Sequence, residues 1–275
     1  MADTPHPSST LPPAPVADRP TIAAMAALVY AGGALLHEVM GHGGACLASR
    51  GMTVSWSSVH FECSVESLAV MSGGTIANLV AGAIFFALLR VATGGGPATR
   101  YLLWLAMTVN LMQAAGYVLF SGVLGIGDWA AVLRHFGAGG AARAAMAIGG
   151  GLAYLVVMRF AARELTPFLP GDRVAAERAA RPLTLFPWIA GGLLSCIAGA
   201  LNPVGFLLVA ISAAAASFGG TSGLAWMASI LGTGWAPLDP RSAGLAIPRH
   251  RGYIAAGLLA AILFIVVMGP GSGGR

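Results

Sequence analysis

The 275-residue chain contains no lysine, and charged side chains make up only 9% of it. A soluble domain carries about 25% charged residues, so a soluble cytosolic enzyme is excluded and a polytopic membrane protein is left. All 15 basic residues are arginine. They form no basic run and no aromatic-interleaved patch, so the net charge of +5 suits anionic lipid headgroups and excludes nucleic acid as a partner. Cysteine is scarce too: Cys46, Cys63 and Cys196, without Cys-x-x-Cys spacing, indicate neither a disulfide framework nor a thiolate zinc site. No internal repeat is visible, which argues against an inverted-repeat transporter. The first residues lack a charged segment leading into an apolar core, so they do not read as a signal peptide.

What the chain has in abundance is apolar surface: 57% of residues are hydrophobic and the mean hydropathy is +0.78. Residues 1–20 are rich in Pro with Ser, Thr and Ala, and read as a disordered tail. Apolar stretches follow at 21–48, 68–92, 101–124, 143–160, 184–217 and 252–269. The fifth is too long for one span, at roughly 51 Å against a hydrocarbon core of about 30 Å. Asn202-Pro203 in its middle is expected to kink it or divide it into two short helices. The expectation is therefore an all-α polytopic membrane protein with about six transmembrane helices, or seven if that stretch divides.

Between the first two spans the period changes. Met52, Val54 and Trp56 alternate with polar residues; after Ser57-Ser58 the phase slips, and Val59, Phe61, Cys63 and Val65 alternate instead. Two period-two runs with a slip between them predict a small β-hairpin over 52–65. Orientation is legible from arginine. With the N-terminus inside, the first three inner segments hold Arg19, Arg90, Arg100, Arg159, Arg163, Arg173, Arg178 and Arg181, while the first two outer loops hold Arg50, Arg134 and Arg143. Eight against three favours a cytoplasmic N-terminus.

The first span contains Leu36-His37-Glu38-Val39-Met40-Gly41-His42-Gly43-Gly44. Titratable groups inside a spanning helix are costly and mark a functional site by default. Two imidazoles can supply nitrogen ligands to zinc, and an adjacent carboxylate can serve as general base. In the zincin motif HExxH the two histidines lie four apart on one helix face. Here the spacing is HExxxH, and a regular helix would leave His37 and His42 about 140° apart. A π-bulge absorbs one residue and restores a shared face. A regular helix would instead pair Glu38 with His42 at i,i+4. A third possibility is a hydrogen-bond network without metal.

These residues carry a resemblance. The stretch from Leu35 to Val54 resembles the active-site helix of the site-2 protease family of intramembrane zinc metalloproteases, including the small residues, Ala48, Arg50 and Gly51 before a strand. Ser72-Gly73-Gly74-Thr75-Ile76-Ala77-Asn78 in the second span resembles that family's Gly-Pro-x-x-Asn helix, with Thr75 in place of proline. The resemblance implies Asn78 near the substrate or behind the zinc; a polar residue joining two helices is the plainer reading. It also implies a third ligand, for which Gly127-Asp128-Trp129 stands in the expected part of the topology, with Gly-Asp-Trp where the family has Leu-Asp-Gly. Asp128 could otherwise cap a short helix over Trp129–His135.

The resemblance thus divides the chain into the 1–20 tail, a 21–135 membrane core with three metalloprotease-like helices, and a 136–275 region of additional spans. It implies a zinc endopeptidase with ligands His37, His42 and Asp128 and Glu38 as base. The substrate would be a transmembrane segment of another protein, paired by strand addition to the hairpin, in a bilayer expected to be a bacterial cytoplasmic membrane. The rivals are a non-catalytic binding or scaffold protein of the same fold and a proton-coupled transporter. His6, His60, His135 and His250 are expected in tail, hairpin or interface, and Cys46 either near the metal as a thiol or packed as a small residue.

Overall fold

A computed structural model describes residues 17–92, 94–203 and 209–272. Helix α1 (Arg19–Ala48) starts where Asp18 accepts hydrogen bonds from the backbone N and hydroxyl of Thr21 at 3.0 and 2.7 Å, with Pro20 in the first turn. Of the expected 1–20 tail, residues 17–20 belong to the fold, since Ala17 pairs with Ile247 and α1 starts at Arg19; residues 1–16 lie outside the described residues. Strands β1 (Thr53–Trp56) and β2 (Phe61–Cys63) form the hairpin, antiparallel, with an irregularity between Thr53 and Ser55. Arg50, at φ 58°, turns the chain from α1 towards it. Helices α2 (Leu68–Val91), α3 (Pro97–Leu124), α4 (Asp128–His135), α5 (Gly140–Phe168) and α6 (Arg173–Ala200) follow. Ser67 and Asp172 cap α2 and α6 through the backbone N of Val70 and Ala175.

The fifth apolar stretch divides, as one of the two expected outcomes. The first part, α6, is a long helix that begins at Arg173, eleven residues before the apolar stretch, and it contains Pro182 and Pro187. After Asn202-Pro203 the chain returns through α7 (Val209–Gly219) and α8 (Gly223–Ile230). Helix α9 (Arg251–Met268), capped by His250, closes the bundle. Six helices (α1, α2, α3, α5, α6 and α9) are each long and apolar enough to cross a membrane. The α7–α8 pair carries the chain back towards the opposite end of the bundle. Ala198 of α6 lies at the hairpin end, beside Gly269, whereas Ile247 lies beside Ala17 at the opposite end.

Between apolar helices in lipid, close backbone approach and polar contacts replace the hydrophobic effect as the source of attachment. Gly41 of α1 meets Gly73 and Gly74 of α2 so closely that a Cβ at Gly41 would sit 2.6 Å from backbone atoms. Gly122 and Gly150 let α3 and α5 pack in the same way. Helices α1 and α3 form the centre. Their Tyr30, Trp104 and Tyr101 are fully buried, and the polar atoms of the last two donate to the carbonyls of Ala161 and Leu183 at 2.9 Å. Helices α5 and α9 expose most of their surface and form the outer rim of the bundle.

Candidate metal centre

The middle of α1 is not α-helical. Leu36–Gly43 winds as a π-helix, and this segment holds the whole HExxxH motif. Wider winding lowers the angle per residue, so five residues return to nearly the same face. At Gly41 the approach of Gly73 leaves no room for a side chain, and at Gly43 a Cβ would lie 3.2 Å from the Phe61 ring. His37, Glu38 and His42 are all buried here.

The third group comes from the α3–α4 junction. Gly125 ends α3 in the left-handed region (φ 71°), and Gly127 (φ 86°) turns the chain so that α4 starts at Asp128. Asp128 does not cap that helix. Its Oδ2 lies 3.2 Å from His37 Nε2 and 3.4 Å from His42 Nε2, and the ligand atoms of the three residues lie within 4.8 Å of one another. A tetrahedral ion with ligands at 2.0–2.1 Å would separate them by about 3.3 Å. Glu38 is not in this set, so the structure brings together His37 and His42, not the Glu38/His42 pair of a regular helix.

The surroundings orient both rings. His42 Nδ1 lies 2.6 Å from the carbonyl of Val70, which only accepts, so Nδ1 carries the proton. His37 Nδ1 lies 2.7 Å from Asn78 Oδ1. The Asn78 amide nitrogen donates to Asn110 Oδ1 at 2.8 Å and to the carbonyl of Gly33 at 3.3 Å, which leaves its oxygen for His37. Asn78 therefore both supports the ring and joins α1, α2 and α3. With Nδ1 so engaged, Nε2 is the nitrogen of each ring that faces Asp128. Buried Asp128 Oδ2 has no aligned hydrogen-bond donor among the described residues. Burial by itself would raise the Asp128 pKa, but the two imidazoles pull it well below the usual carboxylate range, so the group is ionised. Two imidazole nitrogens and a carboxylate oxygen thus converge on one buried point, a donor set that could hold a metal ion.

Glu38 makes no hydrogen bond among the described residues. With His37 it lines a cavity of about 40 Å³ bordered by Ser58, Gln113, Tyr117 and Ser217, polar and large enough for water. Tyr117 stacks on the His37 ring at 4.4 Å, and Phe61 of the hairpin lies over His42 at 6.5 Å. Tyr117 escaped notice in the sequence, although its spacing from Asn110 and Gln113 places all three on one face of α3. Cys46 is neither a thiol nor simply packed: it forms a disulfide with Cys63, linking the last turn of α1 to β2. This corrects the expectation drawn from cysteine count and spacing. Two cysteines 17 residues apart meet because α1 and the hairpin fold back on each other. His135 packs against Phe136, His60 sits in the hairpin turn and His250 caps α9. His6 lies outside the described residues.

No family model, curated protein or solved structure matches this chain.

Proposed function

We propose that this protein is an intramembrane zinc metallopeptidase of the site-2 protease type, set in a bacterial cytoplasmic membrane. The convergence of His37, His42 and Asp128 through a π-helical turn carries the reading. Two imidazoles and a carboxylate are a zinc donor set with a fourth position open. Zinc, when bound, acts as a Lewis acid and acidifies water. The chain supplies the rest. Val70 and Asn78 hold the imidazole tautomers, and buried Glu38 faces a cavity that admits water. In this role Glu38 takes the proton from the attacking water and delivers it to the leaving amine.

A membrane-embedded substrate needs an apolar berth beside the site. A groove of about 750 Å³ runs along the π-turn, between the hairpin and α9, lined by Leu35, Val39, Gly43, Trp56, Phe61 and Leu263. An unwound transmembrane segment lying there can add to the outer edge of β1. The edge available is short, since Ser272 already exchanges hydrogen bonds with Trp56 at 2.9 and 2.8 Å.

The decisive test is Glu38→Gln in purified protein carrying about one zinc per chain. Zinc is expected to stay while cleavage of a reporter transmembrane segment falls by about 10² or more. Loss of zinc would make Glu38 a ligand. Zinc retention without cleavage in the native chain would favour a binding protein of the same fold.

A further inference from the structure

We propose that the metal centre opens on the oxidising, non-cytoplasmic side of the membrane. Its substrates would then be membrane-protein segments presented at the outer end of a span. This rests on the metallopeptidase reading for the word substrate, and not for the orientation itself.

Two independent features define the ends of the bundle. The first is arginine. The return of the chain through α7 and α8 places the 231–250 segment at the end that holds Arg19. There Gly171 N donates to the carbonyl of Ser242, and Arg163 Nε to that of Trp235. That adds Arg241, Arg249 and Arg251 to the eight inner arginines counted from sequence. The metal end keeps Arg50, Arg134 and Arg143. The ratio becomes eleven to three among the described residues, all in short connections or towards the helix ends that flank them, where the positive-inside rule applies.

The second feature is chemical. Cys46 and Cys63 are joined at the metal end, one turn beyond His42. Disulfides persist in oxidising compartments and are rare where glutathione and thioredoxin keep thiols reduced. Arginine count and disulfide therefore agree on one orientation although neither depends on the other. The bond is also built into the site. It ties β2 to α1 and so keeps Phe61 over His42. Gly51 packs against both sulfurs, where a Cβ would lie 2.8 Å from Cys46 Sγ. A cytoplasmic placement would expose this clamp to reduction.

The test uses the full chain expressed in intact bacterial cells and a membrane-impermeant maleimide. In a cysteine-free background, Met52→Cys reports the hairpin end and Ala246→Cys the opposite loop; both positions are exposed. Labelling of Met52→Cys in intact cells, with Ala246→Cys labelled only after permeabilisation, is the expected result. Met52→Cys that stays unlabelled until permeabilisation, or early labelling of Ala246→Cys, overturns the proposal. Because loss of the native disulfide can impair folding, a second measurement uses Cys196→Ser alone. Cys46 and Cys63 are expected to resist a permeant maleimide until cells are treated with an impermeant phosphine reductant; free thiols in untreated cells count against the orientation. Neither readout requires zinc or cleavage, so a failed enzyme and a failed topology are told apart.

Discussion

The first and last spans use the same backbone device to different ends. Helix α1 widens to a π-helix over Leu36–Gly43, and α9 does so over Phe264–Met268. The α1 turn carries His37, Glu38 and His42 and is pinned by Gly41 against α2. The α9 turn carries Phe264-Ile265-Val266-Val267-Met268, with no polar side chain, and ends against the hairpin, where Ser58 N donates to the Met268 carbonyl. A π-turn therefore supplies register and nothing more. Chemistry arises only where the register aligns ligands and a neighbouring helix orients them.

The largest effect that can test this contrast is loss of the ligand set. His42→Ala is expected to abolish stoichiometric zinc binding, measured by metal analysis of purified protein. Full retention would dismantle the site as drawn. Next comes the orienting layer: Asn78→Ala leaves every ligand in place but frees His37, and should weaken zinc affinity by about 10–100-fold in competition with a chelator. An unchanged affinity would reduce Asn78 to a link between helices.

A smaller effect sharpens the comparison directly. Deleting exposed Met40 converts HExxxH to HExxH and lets α1 continue as a regular helix with both histidines on one face. Zinc should be retained within a few-fold. Deleting exposed Val266 from the α9 turn should leave zinc content unchanged. If the Met40 deletion instead strips the metal, the π-turn does more than restore register.

The smallest effect lies at the end remote from the metal. The hydrogen bond from Thr21 holds the Asp18 carboxyl below its ordinary pKa. An acid with a lowered folded-state pKa contributes stability above its unfolded value and loses it as pH falls through the lowered one. The melting-temperature gap between the native chain and Asp18→Ala in detergent should be present at neutral pH and shrink in acid, with zinc content unaffected. A gap independent of pH would mean that the protonated carboxyl caps the helix as well as the ionised one.

Much of this arrangement was legible beforehand. Apolar length located the six long helices, alternation located the hairpin, and the helical angle between residues 37 and 42 required a distorted turn if both were to face one point. Tyr117 and the disulfide were not legible. Stacking of Tyr117 on His37 depends on how α3 rotates against α1, and the pairing of Cys46 with Cys63 depends on the turn at Arg50 bringing β2 back to α1. Division of the fifth apolar stretch at Asn202-Pro203 was legible, but its continuation into α8 was not, because Gly219–Ser222 separate α8 from α7.

The sequence by itself determined where helices long and apolar enough to cross a membrane lie, because hydrophobic length acts locally along the chain. It also determined which residues were capable of binding a metal, since donor chemistry belongs to side-chain type. Tertiary structure alone decided that His37, His42 and Asp128 share a point. Asp128 stands 86 residues beyond His42 in the chain, and only the packing of α1 against α2 and α3 brings it within 3.4 Å. It likewise decided the tautomers: the Val70 carbonyl and the Asn78 amide become partners of the imidazoles only once glycine-to-glycine contact lets α1 and α2 touch. A ligand set is a distance between strangers in sequence, and distance is what folding supplies.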